Sequence, residues 1–327
     1  MTDTSHVLDF SLAVGDKIID FKGKKTMDKQ ARIQELKREK NAVILAHYYV
    51  DEDVQQCADY IGDSFYLAKI ATKVDADRII FAGVEFMGES AKLLNPQKRV
   101  FMPDATADCP MAHMTDVEEI EKVKKEHPDV AVVCYVNSTA EVKAHSDVCV
   151  TSSNAVKIVK NLPNPIIYFI PDANLGNFIR KQVPEKEIIT NRGFCPRHVA
   201  ITIDDMLRAK EMHPNAKVAA HPECTEDVLK EADYVGSTSG IIDYVVNTEG
   251  DEFIVATVDG VFPKIKEQAP GKKLYRVIDP QVCVNMKKVT LDKVIDVLEN
   301  ETNEITLDEE IAKKAVLPLE RMLELAK

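Results

Sequence analysis

The chain has 327 residues, 45% hydrophobic and 29% charged, a globular balance that excludes collagenous, disordered and small disulfide-stapled classes. Its 42 basic and 54 acidic side chains leave a net charge of −12 with no block of Lys and Arg. That disfavours nucleic acid and anionic membrane as partners and favours small molecules or other proteins.

From the N-terminus, Met1 to Lys24 carries Asp3, Asp9, Asp16 and Asp20 and no basic start leading into an apolar core, so it does not read as a secretory signal. Nowhere do about 18 apolar residues run together, and a soluble, cytoplasmic protein is expected. Next come short apolar runs rich in β-branched residues: Val43 to Ala46, Arg78 to Phe81, Val130 to Val133, Ile166 to Phe169, Val218 to Ala220 and Phe253 to Val255. Runs apolar on both faces read as doubly buried parallel strands. Between and after them lie helical patterns at Ala68 to Lys73, Asp116 to Glu126, Asn154 to Lys160, Asp204 to Met212 and Leu291 to Leu298, and Thr306 to Lys327 is an amphipathic helical tail. Strand followed by helix, many times over, predicts an α/β fold with parallel sheets.

The chain also repeats itself. His47-Tyr48-Tyr49, Tyr135-Val136-Asn137 and His221-Pro222-Glu223 each close a strand, 88 and then 86 residues apart. Ala58-Asp59-Tyr60, Ser146-Asp147-Val148 and Ala232-Asp233-Tyr234 keep the same spacings and lead to Ser64, Ser152 and Thr238. Cys109, Cys195 and Cys283 are separated by 86 and 88 residues. The simplest architecture is three αβα units of about 87 residues around a pseudo-threefold axis: 27–112, 113–198 and 199–286, with an extension over 1–26 and the tail 287–327 packing on the first unit. In parallel α/β sheets, ligands bind beyond the carboxyl ends of the strands. All three echoes lie there, so the units would direct them into one central cavity.

These residues resemble the quinolinate synthase family. The likeness runs from about Lys40 to Lys327 through Ile44-Leu45-Ala46-His47-Tyr48-Tyr49, Gly62-Asp63-Ser64, Cys109-Pro110-Met111-Ala112, Tyr135-Val136-Asn137-Ser138-Thr139, Cys149-Val150-Thr151-Ser152-Ser153-Asn154-Ala155, His221-Pro222-Glu223-Cys224, Ala232-Asp233-Tyr234-Val235-Gly236-Ser237-Thr238 and Cys283-Val284-Asn285-Met286-Lys287. It implies three homologous domains around one [4Fe–4S] cluster and condensation of iminoaspartate with dihydroxyacetone phosphate to quinolinate, with loss of phosphate and water. It also implies functional coupling to an aspartate oxidase or dehydrogenase. The chain departs from the family at Thr257-Val258-Asp259-Gly260, where the acidic residue that usually follows the threonine is moved by one.

The resemblance makes Cys109, Cys195 and Cys283 the cluster ligands, leaving one iron as an open Lewis acid. By spacing alone the plainer reading, buried small hydrophobes, outweighs ligation. Cys57, Cys134 and Cys149 read as core, and Cys224, off the period, is left out of the ligand set. Glu223 is the candidate general base, a carboxylate whose pKa desolvation can raise toward working pH, against the plainer reading of a helix N-terminal carboxylate. His221 is a candidate acid or substrate donor. Tyr49 offers a catalytic phenol. Tyr135, Val136, Asn137, Pro222 and His47 complete the substrate-binding strand ends. Ser64, Ser152, Ser237 and Thr238 are expected to bind phosphate or carboxylate at helix starts, where simple N-capping is the alternative. Other readings left open are a different iron–sulfur hydro-lyase, a redox-sensing ligand-binding protein and a structural zinc site.

Overall fold

The computed structural model describes residues 21–327, so most of the N-terminal extension lies outside the described residues. Among the described residues, twelve strands form three four-stranded, all-parallel sheets. The first contains β1 (Ala42–His47), β2 (Tyr60–Gly62), β3 (Arg78–Ala82) and β4 (Arg99–Phe101). The second contains β5 (Val130–Tyr135), β6 (Val148–Val150), β7 (Ile166–Ile170) and β8 (Glu187–Thr190). The third contains β9 (Lys217–Ala220), β10 (Tyr234–Val235), β11 (Glu252–Ala256) and β12 (Lys273–Tyr275). Their orders are β2-β1-β3-β4, β6-β5-β7-β8 and β10-β9-β11-β12, one topology three times. Helices flank each sheet, giving the three αβα units expected from the repeat.

The six apolar runs are the paired central strands of the three sheets, β1 with β3, β5 with β7 and β9 with β11. Ile44, Leu45, Val132, Val133, Ile167, Phe169, Phe253 and Val255 are fully buried. Both faces of each central strand meet helices, which is why these strands read as continuous apolar runs rather than alternating ones. The lateral strands β2, β4, β8, β10 and β12 did not stand out in the sequence. Each is short and partly exposed, so it lacks that signal.

The aspartates of the second echo have a structural role that explains their spacing. Asp59 Oδ2 accepts from Ile44 N–H at 2.8 Å, Asp147 Oδ2 from Val132 N–H at 2.7 Å and Asp233 Oδ2 from Val218 N–H at 2.7 Å. Each of the same residues returns its own N–H to the carbonyl of Ile44, Val132 or Val218. A reciprocal pair locks the start of each lateral strand to the middle of its neighbour and so sets the register beside the site.

After the third unit, helix Leu291–Asn300 packs on helix Phe21–Glu39. Helix Glu309–Leu325 packs on helix Ala140–Ala144 and β6 of the second unit and on helix Glu85–Leu94 of the first, burying Leu319 and Met322 completely. The tail therefore crosses from one unit to the next. Among the described residues no helix is long and apolar enough to cross a membrane.

Candidate active site

The first strand of each sheet ends at one central cavity of about 310 Å³. His47 and Tyr49 reach it from β1, Tyr135 and Asn137 from β5, and His221 and Glu223 from β9. Ser64, Ser152 and Thr238 line it from the starts of the helical segments that follow, and Cys109, Cys195 and Cys283 close it from the connections leaving each unit. Three expected site residues do not line it. Val136 faces a small neighbouring cavity beside Leu319, Pro222 is buried in the turn after β9, and Ser237 is engaged as an N-cap, accepting from Gly240 N–H at 3.1 Å.

The two histidine strand ends share one turn. Tyr49 N–H donates to His47 Nδ1 at 3.2 Å, and Glu223 N–H donates to His221 Nδ1 at 3.3 Å. With Nδ1 accepting, the ring proton of each neutral imidazole sits on Nε2, a donor available to an anionic ligand. Burial keeps both rings neutral at ordinary pH, pushing His47 down to about 4 and His221 to about 3 against the opposing pull of Glu223. Asn137 Oδ1 is buried without a hydrogen-bond partner, an acceptor awaiting a donor from a ligand.

Glu223 is 3% exposed, and both its oxygens are occupied. Tyr135 Oη donates to Oε1 at 2.7 Å, and His198 Nδ1–H donates to Oε2 at 2.7 Å. Burial alone would raise this carboxyl toward working pH. The His221 and His198 rings and the two donors outweigh that and hold it well below the ordinary carboxylate range. Glu223 is therefore an ionised acceptor, the opposite direction from the shift expected of a raised base.

An ionised Glu223 sets the polarity of everything bonded to it. With Nδ1–H given to Glu223, His198 Nε2 accepts from Thr257 Oγ1 at 2.9 Å. Thr257 Oγ1 then accepts from Tyr49 Oη at 2.8 Å, and Tyr49 Oη accepts from Thr238 Oγ1 at 2.9 Å. A continuous hydrogen-bonded chain thus joins Glu223 to Tyr49 through a carboxylate–imidazole–hydroxyl arrangement of the kind hydrolytic triads use. Burial raises the phenols of both Tyr49 and Tyr135 well above the usual range, so each keeps its proton at neutral pH.

His198 and Thr257 were not singled out in the sequence. His198 lies three residues after Cys195, but Ala112 and Met286 occupy the matching places after Cys109 and Cys283, so the period hides it. Thr257 closes β11 where Gly83 and Pro171 close β3 and β7. At the family departure, buried Val258 lines the cavity wall and Asp259 turns away to pair with Arg276 at 2.7 Å.

The donor set suits a metal centre. Cys195 Sγ, a His198 ring nitrogen and a Glu223 oxygen lie within 4.8 Å of one another, close enough for a single ion. Cys109, Cys195 and Cys283 are half-buried and free, and they do not form so tight a group. Burial pushes the Cys109 thiol up to about 12 and raises those of Cys195 and Cys283, with mutual repulsion and nearby Glu223 adding to it. Thiolates in that setting require a cationic partner, and a bound metal centre inverts the local preference. The other four cysteines are buried away from the cavity.

Fold and site together define an α/β enzyme of three repeated units with a metal-competent cysteine set at their junction. The family described as Quinolinate synthetase A protein matches residues 31–324. The chain is 54% identical over 295 residues to the quinolinate synthase of Fusobacterium nucleatum, covering 90% of this chain and 98% of that protein. It is 50% identical to the Sulfurihydrogenibium sp. quinolinate synthase, covering 90% and 97%, and 47% identical to that of Aquifex aeolicus, covering 91% and 94%. The chain belongs to the quinolinate synthase family.

Proposed function

We propose that this protein condenses iminoaspartate with dihydroxyacetone phosphate to quinolinate, releasing phosphate and water, in the central cavity and with a [4Fe–4S] cluster held by Cys109, Cys195 and Cys283. The observation that carries this reading is the chain from Glu223 through His198 and Thr257 to Tyr49, which opens onto a cavity lined by all three periodic cysteines. Held by these three cysteines, the cluster would supply Lewis acidity for departure of a hydroxyl group.

The protein residues carry the proton work. Tyr49 passes its proton through Thr257 to His198 Nε2, the Glu223 carboxylate stabilises the imidazolium that forms, and the Tyr49 oxygen takes a proton from carbon beside the imine or carbonyl. The reverse transfer returns a proton to a leaving oxygen. His47 and His221 donate Nε2–H to carboxylate or phosphate, Asn137 Oδ1 accepts from the substrate, and the Ser64, Ser152 and Thr238 hydroxyls hold anionic oxygens at helix starts. The reading assigns the three units to 27–112, 113–198 and 199–286. An aspartate oxidase or dehydrogenase supplies the short-lived imine, and these water-soluble substrates suit a cytoplasmic enzyme.

The test is iron and acid-labile sulfide per chain after anaerobic purification, together with quinolinate formation from the two substrates. About four of each, lost in Cys283→Ala along with turnover, is the expected result. Native protein that is reconstituted and still iron-free overturns it.

A further inference from the structure

The cavity walls carry an unusual balance of charge for a site that takes anions. Asp63, Asp108 and Glu223 line it. Its two strand-end imidazoles each accept a backbone N–H at Nδ1 and so turn an Nε2–H donor toward a ligand. Among the described residues, Arg197 is the sole Lys or Arg in the lining. Elsewhere Arg78, Arg99 and Arg276 each reach a carboxylate. Arg197 is exposed and makes no ion pair or hydrogen bond among the described residues, although it stands close enough to Cys283 to pull that thiol down. Asn285, on the Cys283 side of the same cavity, also leaves its side-chain amide unengaged.

We infer that Arg197 is the anion-capturing residue of this cavity, pairing through its guanidinium fork with a carboxylate or phosphate group of the incoming substrate. The inference deepens the proposed function, since both substrates named there carry at least two negative charges and approach a chain of net charge −12. A guanidinium presents paired N–H donors that match either oxyanion, and one with no protein acceptor has them free. A lone cation at the opening of an otherwise acidic cavity also dominates the local field that an anion meets on approach. Its counterparts in the repeat, Met111 and Asn285, are uncharged, so the positive charge enters from one side only.

The experiment compares iron-loaded wild type with Arg197→Gln and Arg197→Lys, varying each substrate in turn and the ionic strength, and titrates each protein with inorganic phosphate. Loss of a charge-assisted hydrogen bond predicts that Arg197→Gln raises the KM of the captured substrate and the phosphate Kd about tenfold or more, with kcat within about threefold. The salt dependence of kcat/KM should flatten, Arg197→Lys should fall between the two, and iron and sulfide should stay at the native level. Which KM moves tells the phosphate-bearing substrate from the dicarboxylate. The inference falls if Arg197→Gln leaves both KM values and the phosphate affinity unchanged, if its loss lies in kcat alone, or if it loses iron. A wild type that makes no quinolinate overturns the proposed function instead, and the phosphate titration still decides the role of Arg197.

Discussion

At the ends of β1 and β9 the backbone makes the same turn, with an imidazole Nδ1 accepting the N–H two residues on, yet the residue presented differs: Tyr49 from β1 and Glu223 from β9. Tyr49 keeps a phenolic proton that burial makes hard to lose, whereas Glu223 is ionised because two donors and nearby imidazoles outweigh its burial. The middle unit supplies one of those donors, Tyr135, from the place at the end of β5 that His47 and His221 hold in the other two units, with Asn137 at the place of Tyr49 and Glu223. A repeated backbone therefore delivers three side chains to one point, and the environment there separates an acid from a carboxylate acceptor. Threefold repetition sets position, and departures from the repeat set chemistry.

Glu223→Gln keeps the shape but removes the charge that fixes the chain, and kcat should fall by about 10³ with iron retained, within the range a positioned acid–base group contributes. Full turnover in an iron-replete Glu223→Gln protein would sink the assignment. Tyr49→Phe removes the other terminus while leaving Glu223 paired, and about a 10²-fold loss in kcat is expected. A Tyr49→Phe loss confined to KM would make Tyr49 a binding group only.

Acid stability sharpens the comparison from the His47 side. The folded chain holds His47 neutral down to about pH 4, while in the unfolded chain it takes up a proton near 6.5. The unfolded state thus binds the proton first, so this group's contribution is complete above about pH 6.5 and declines as pH falls toward 4, by up to about 1.4 kcal/mol per pH unit. His47→Asn, whose side-chain oxygen can still accept from Tyr49 N–H, should show a shallower fall in denaturant midpoint over that window. An unchanged slope would mean that the ring is not held neutral.

The smallest expected effect tests the repeat itself. Asp147→Ala and Asp233→Ala each remove one strand-locking acceptor and leave a backbone N–H unpaired, for a loss of about 1–3 kcal/mol in each unit, and Asp59→Ala adds the loss of its ion pair with buried Lys37. A large spread between Asp147→Ala and Asp233→Ala would show that those two units are not equivalent in stability.

Much of the fold was legible because its causes are local. Val43 to Ala46, Val130 to Val133 and Phe253 to Val255 announce central strands by being apolar on both faces, whereas short lateral strands such as β2 and β10 pair along one edge and leave too little pattern to read. The amphipathic tail was visible as a helix. Its passage from the second unit to the first was not, since an apolar stripe says that a partner exists without naming it.

For the site, the residues alone disclosed what repetition encodes: the strand-end triplets, the stapling aspartates and the three cysteines, each at a spacing near 87 residues because each unit presents a side chain at the same place. What breaks the period emerges from the packing. His198, Thr257 and Arg197 have no counterparts of their kind in the other units, and their neighbours at the site come from distant stretches of chain. The ionisation of Glu223 was decided there too. Burial, which composition suggests, and donation by Tyr135 and His198, which only packing provides, act in opposite directions on the same carboxyl, and the donors with the adjoining imidazoles prevail.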